Sequence, residues 1–143
     1  MAVTVRKITV FRTEVENRAG ALAEMLEALT AAKASLDVVM GYRVPSQHER
    51  AVIEVWPVSG KKMSQAAESV GLKPSDTPTL LVLGDDRPGL GHAMARALSD
   101  AGINLVFLVA QVVGRRYSAV FGFESQADAD RAAGLLKKAR PGR

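Results

Sequence analysis

Residues 83–104, LGDDRPGLGHAMARALSDAGIN, hold the densest set of groups able to do chemistry in this 143-residue chain. The acids Asp85 and Asp86 and the base Arg87 follow an apolar run, Pro88-Gly89 opens a helix, and Gly102-Ile103-Asn104 follows it. A helix N-terminus presents unpaired backbone N–H groups and the positive end of the helix dipole. A ligand carboxylate can sit there, while Asp86 and nearby carbonyls take an ammonium. Two such opposite seats describe an α-amino acid, and Asn104 adds a donor and an acceptor at the start of the next strand. The same residues also have a purely structural reading. Asp86 then caps the helix, Pro88 suits a first turn that needs no N–H, Gly89 lets helix and sheet approach, and Asn104 closes a turn.

Other chemistries find little support. With no cysteine, disulfides, thiol catalysis and cysteine-bound zinc are excluded. His48 and His92, the only histidines, stand in no metal-ligand spacing, so no metal and no cofactor are expected. Gly89-Leu90-Gly91 resembles the opening of a dinucleotide fingerprint, but Met94 occupies the third glycine position and residues 105–113 offer no acid for a ribose. No Ser-His-Asp arrangement is readable, so no catalytic residues are assigned and an enzyme is not expected. The net charge of +4 is modest, and KKARPGR at the end reads as a solvated tail. The N-terminus has no signal-peptide core, and INLVFLVAQVV is well short of a membrane span of roughly 20 residues. A cytoplasmic protein without membrane contact is expected.

These residues need elements to position them, and the chain supplies them twice. Shifted by 69 positions, residues 17–36 and 86–105 agree at seven of 20 places, among them Arg18/Arg87, Gly20/Gly89 and Met25/Met94. Beyond a one-residue gap, AVIEVW (51–56) falls on AVFGFE (119–124). Each half reads as strand, helix, two strands and helix. TVRKITVFRTEV is one strand leading into the first helix, which places Ala21, Met25, Ala28, Leu29 and Ala32 on one face. Its counterpart places Leu90, Met94, Ala97, Leu98 and Ala101 there.

The expected class is α+β: two ferredoxin-like β-α-β-β-α-β repeats, residues 1–74 and 75–143, each an antiparallel sheet with its helices on one face. LKPSD can supply the last strand of the first repeat, whereas the second ends before it can build its own. An open edge on a half of this size predicts that the repeats pack together or pair with another copy, a homodimer being the commonest form. RNA-recognition modules share this element order but stack bases on strand aromatics. Phe11, Trp56, Tyr117, Phe121 and Phe123 form no aromatic-basic block, and nucleic-acid binding is not expected.

Asp86-Arg87-Pro88-Gly89-Leu90, a helix, then Ala101-Gly102-Ile103-Asn104 resembles the signature of the ACT family of small regulatory modules, D-R-P-G-x-L followed at helix length by G-I-N-I. Asn17-Arg18-Ala19-Gly20-Ala21-Leu22 resembles it more loosely, and the whole chain is similar to stand-alone tandem ACT proteins. The resemblance implies a non-enzymatic regulatory or sensor protein that binds a small molecule, most often an amino acid, where two ACT domains meet. A purely structural interaction module and a dissociable regulatory subunit of an amino-acid biosynthetic enzyme are its alternatives. The positions it implies for the ligand are Asp86, Arg87, Pro88, Gly89, Leu90 and Asn104, with Asn17, Arg18, Gly20, Ala21, Leu22 and Ser35 in the first half. Ala19 departs from the family's proline, Lys33-Ala34-Ser35 from Gly-Ile-Asn, and Gly91 from an apolar residue.

Overall fold

The structure, a computed structural model, describes residues 3–142. The elements in chain order are β1 (Thr4–Ile8), β2 (Phe11–Glu16), α1 (Ala21–Ala31), β3 (Val38–Val44), β4 (Gln47–Trp56), α2 (Lys61–Ser69), β5 (Lys73–Pro74), β6 (Thr79–Asp85), α3 (Leu90–Asp100), β7 (Leu105–Val113), β8 (Arg116–Phe123) and α4 (Gln126–Lys138). They form two four-stranded antiparallel sheets, β3-β4-β2-β5 and β1-β6-β8-β7, each in the ferredoxin-like order.

The segment expected as one strand is two. It breaks at Thr9-Val10, so that β2 pairs with β4 in one sheet and β1 pairs with β6 in the other, Thr4 opposite Leu83 through Ile8 opposite Thr79. The N-terminal strand thereby supplies the one the second repeat lacks, and an otherwise open edge of β6 is covered. Gly84 marks the contact: a Cβ there would come within 2.6 Å of Val3 Cγ1 and 3.2 Å of Val3 Cα. The chain accordingly divides into two compact units, Thr9–Ser75 on one side and, on the other, the chain up to Ile8 together with the chain from Asp76. The expected division at 74/75 therefore differs at its N-terminus, because β1 belongs with the second repeat. In the first repeat the last strand is β5, in the LKPSD segment, and it makes only the pairs Phe11–Pro74 and Arg12–Lys73.

Each sheet buries one face under its two helices. In the first repeat Met25 and Leu29 of α1 and Ala67 of α2 close over Ile53 and Val55 of β4. In the second, Leu90, Met94 and Leu98 of α3 and Ala129, Ala132 and Leu136 of α4 close over Leu80, Val82, Phe121 and Phe123. The period-two strand pattern and the i, i+4, i+8 helix stripe put these residues inward. Tyr117, Phe121 and Phe123 are buried in that core, which removes them as a platform for stacked bases.

The register also corrects the alignment of the halves. Val15 faces Ala51 and its counterpart Gly84 faces Tyr117, an offset of 66 along β4 and β8 in place of 68. Three residues, His48 to Arg50, account for the change: β3 and β4 pair Arg43 with Ala51 but Val44 with Gln47, whereas β7 and β8 run straight to Val113–Arg116. The matching AV letters are thus displaced by two residues, which leaves the inward face unchanged because the strand period is two.

Candidate ligand-binding site

The strand-to-helix loop is built the same way in both repeats. The backbone N–H of Asn17 donates to the carbonyl of Glu49 at 2.8 Å, and that of Asp86 to the carbonyl of Arg115 at 2.8 Å. Each loop is thus pinned to the end of the neighbouring hairpin. The helices then start from left-handed glycines, Gly20 at φ 90° and Gly89 at φ 85°, with no side-chain cap on either. A side chain at such φ is disfavoured, so glycine is required there. Asp86 therefore does not cap α3. In α1 the Glu24 N–H bonds to Gly20, which leaves the Leu22 and Ala23 amides as first-turn donors that the helix cannot satisfy. By contrast, α4 is capped within the chain, the Ser125 hydroxyl accepting from the Asp128 N–H at 3.1 Å.

In the first repeat this loop borders a cavity of about 250 Å³. Glu16, Asn17, Arg18 and the start of α1 (Ala21, Leu22) form one wall. Val15, Ala51 and Ile53 form an apolar floor, and Gly41 and Arg43 of β3 the opposite side. Gly41 opens this side, since a Cβ there would meet no atom within 4 Å. Two of the polar side chains already have partners. Asn17 Nδ2 donates to the His48 carbonyl at 2.7 Å, and Arg18 pairs with Glu24 and lies 3.8 Å from Glu16. Asn17 therefore holds the hairpin against the loop, and Arg18 braces the helix start. Arg43, exposed on β3, is the cation that meets the opening.

The second repeat fills the equivalent space. By register, Tyr117 stands where the first repeat has Ala51, and Leu90 where it has Ala21. Both are buried, at 6% and 4% exposure. The Tyr117 hydroxyl is 3.8 Å from where a Gly91 Cβ would lie, ordinary van der Waals contact, so it packs against the start of α3. Burial and then the nearby Asp86 carboxylate push the Tyr117 hydroxyl above its usual pKa. Gly89 sits against the C-terminal tail, its Cβ position 3.6 Å from Pro141.

Of the twelve expected positions, Asn17, Arg18, Ala21 and Leu22 line the first-repeat cavity. Gly20 shapes it through its backbone. Asp86, Arg87, Pro88 and Gly89 form the second loop, but Leu90 turns into the core. Asn104 and Ser35 are not beside the loops of their own repeats. Each lies beyond the far end of a helix of 11 residues, about 16 Å long. Asn104 Oδ1 instead accepts from the Leu105 N–H at 3.0 Å, and Asn104 lines a shallow depression with Ser99 and Gly102. Gly41, Arg43, Ala51 and Ile53 escaped notice in the sequence. The isolated glycine within the strand pattern of β3 was the one available signal, since such a residue marks a bulge or a close approach. Among the described residues no three His, Cys, Asp or Glu side chains gather as a metal site, and no helix is long and apolar enough to cross a membrane.

No family model and no curated protein matches the sequence. Solved structures do resemble it in fold. Protein BT0572 from Bacteroides thetaiotaomicron matches with a TM-score of 0.72 at 14% identity, over 94% of this chain and 98% of that one. The ligand-free regulatory subunit of aspartate kinase from Thermus thermophilus matches at 0.64 and 15%, over 97% of each chain. The same subunit from Thermus flavus matches at 0.57 and 16%, over 95% and 97%. At such identities the likeness is one of architecture, and it spans nearly the whole chain: two ferredoxin-like units with an ACT-like fold.

Proposed function

We propose that this chain is a non-enzymatic regulatory protein that binds a small amphipathic molecule of amino-acid class in the first repeat, at the start of α1. The single observation that carries this reading is the cavity beneath an uncapped helix start. Its volume of about 250 Å³ falls just under the roughly 300–1,000 Å³ typical of drug-sized ligands, which suits a smaller metabolite. A carboxylate is stabilised by the free Leu22 and Ala23 amides, the helix dipole and Arg43. Glu16 and the loop carbonyls take an ammonium. Val15, Ala51 and Ile53 receive an aliphatic side chain, whose removal from water adds about 0.8 kcal/mol per buried CH₂. The second-repeat loop, Asp86 to Gly89, is a second candidate seat in this reading.

Two neighbours in fold are regulatory subunits of aspartate kinase. They support a regulatory role, and with it a homodimer or a subunit that associates with an amino-acid biosynthetic enzyme. Regulation requires that the ligand favour one arrangement of the protein over another, since equal affinity for both shifts nothing.

A thermal-shift screen of the purified protein against the twenty amino acids tests the proposal. A ligand at about 100 times its dissociation constant adds roughly 2.7 kcal/mol, or about 5–10 °C for a chain of this size. One or a few hits, abolished by Ala51→Leu, are expected. A flat screen returns both glycine-led loops to a structural role and points to a purely protein-binding module.

A further inference from the structure

Three segments far apart in the sequence meet at one end of the second unit. The loop before α3 carries Arg87, and the turn from β7 into β8 carries Arg115 and Arg116. The Asp86 N–H donates to the Arg115 carbonyl at 2.8 Å, which joins loop to turn. Lys137 and Lys138 close α4, and Arg140 follows them. The tail brings these to the same place, since Pro141 lies 3.6 Å from where a Gly89 Cβ would stand. All six cations are exposed. The acids among them are Asp85 and Asp86, so the surplus here equals the net charge of +4 of the whole chain. The remainder of the chain is therefore neutral, and this end is its positive pole.

Local structure accounts for only part of this pole. Lys137 and Lys138 stand in the last turn of α4, where cations offset the helix dipole. The Arg140 guanidinium donates to the Lys137 and Ala139 carbonyls at 3.1 and 2.9 Å. Arg116 pairs with Asp85 at 2.6 Å. Arg87 has no such role. It stands just before α3, whose start has no side-chain cap and where the dipole disfavours a cation. Among the described residues neither Arg87 nor Arg115 pairs with an acid. The corresponding end of the first repeat is matched within the chain. Arg18 pairs with Glu16 and Glu24, Arg50 is 3.9 Å from Glu14, and α2 ends on Glu68-Ser69.

We infer that this pole is a docking surface for an acidic segment of a protein partner, a stretch of chain rich in Asp and Glu. Its carboxylates neutralise Arg87, Arg115 and the two lysines, and each arginine fork takes one in bidentate fashion. Asp86, exposed beside these cations, accepts a backbone N–H of such a segment but repels a phosphate chain. Nucleic acid is poorly matched in a second respect. Single strands stack their bases on exposed aromatics, and Tyr117, next to Arg116 on β8, is only 6% exposed. A surface of this kind acts at long range and chiefly raises the rate of encounter. The inference rests on the regulatory reading only in giving that protein a partner. It uses neither the first-repeat cavity nor its ligand, so a flat amino-acid screen leaves it standing, and its own failure leaves the cavity standing.

Fluorescence anisotropy of the full chain with labelled poly-L-glutamate, and with poly(U) as the polyphosphate, tests it. Poly-L-glutamate should bind with a Kd on the order of 10 μM at low salt, and more tightly than poly(U). Binding should weaken at least about tenfold between about 50 and 200 mM salt. Lys137→Glu/Lys138→Glu should lose at least about tenfold in affinity, and Arg115→Glu about threefold. Lys61→Glu/Lys62→Glu makes the same change of charge at the exposed start of α2, and should stay within about twofold. An absence of poly-L-glutamate binding at low salt overturns the proposal, as does an equal loss in Lys61→Glu/Lys62→Glu. A tighter complex with poly(U) also overturns it and makes the pole a nucleic-acid surface. If Lys137→Glu/Lys138→Glu does not fold, Arg115→Glu, on an exposed turn, decides by itself.

Discussion

The two repeats put the same loop to different ends. Both pin it to the neighbouring hairpin by one backbone hydrogen bond of 2.8 Å and start the helix from a left-handed, uncapped glycine. Beneath that helix start the first repeat has Ala21 and Ala51 and keeps a cavity, while the second has Leu90 and Tyr117, both buried in the core. The stronger sequence motif lies over the filled space and the weaker one over the open space. A motif that governs how a strand turns into a helix therefore says nothing about what fills the space below, which is set by side chains on other strands. The same exchange of large for small recurs at the other end of the sheet. The first repeat faces Val38 with Trp56, and the second faces Phe107 with Gly122, where a Cβ would run into the Phe107 ring.

Four changes break or sharpen this comparison. The largest effect falls on the strand exchange. A chain beginning at Thr9 loses the β1–β6 ladder and the burial of Val3 and Val5, and the second repeat should lose roughly 3–5 kcal/mol. Urea titration then shows an early transition for that repeat, with the first repeat little changed.

Next comes the cavity pair. Tyr117→Ala should cost about 3–5 kcal/mol, as truncation of large core aromatics does. Ala51→Leu, which grows into existing space, should change stability by less than about 1.5 kcal/mol. The ligand-induced shift should nevertheless disappear in Ala51→Leu and survive in Tyr117→Ala at temperatures where that variant is folded.

The loop side chains separate more gently. Asn17→Ala removes the 2.7 Å bond to His48 and should cost about 1 kcal/mol. Asp86→Ala leaves the equivalent backbone bond in place and should stay within about 0.5 kcal/mol. Chemical denaturation of the two variants side by side gives the difference directly.

The smallest effect is alkaline. Burial, and then the hydrogen bond to Glu54, push Tyr42 up from 10.0 to about 12. Its pKa is higher in the folded chain, so its contribution is complete below pH 10 and is lost as pH rises toward 12. Melting temperatures should fall across that window, and the fall should be shallower in Tyr42→Phe. Tyr117 acts in the same direction, so a residual slope is expected.

Much of the fold could be read directly from the residues. The 69-residue repeat and the Met25/Met94 and Leu29/Leu98 helix stripe imply two β-α-β-β-α units whose helices cover one face of the sheet, because the helical period is a local property of the chain. The two loops were equally visible, since only glycine tolerates the backbone at Gly20 and Gly89. The break at Thr9-Val10 was not. TVRKITVFRTEV contains no glycine, proline or turn dipeptide, and nothing local says that its first half belongs with residues some 75 positions away. The three-residue insertion at 48–50 was equally hidden, because a two-residue displacement preserves the strand's alternation.

The sequence by itself determined which helix residues face inward, where the helices begin and that the unit occurs twice, since each follows from neighbours along the chain. The tertiary structure alone decided which sheet β1 completes and which of two similar loops keeps a space beneath it. Those outcomes depend on the register that sets Val15 against Ala51 and Gly84 against Tyr117, a matter of side-chain volumes meeting across strands far apart in the chain.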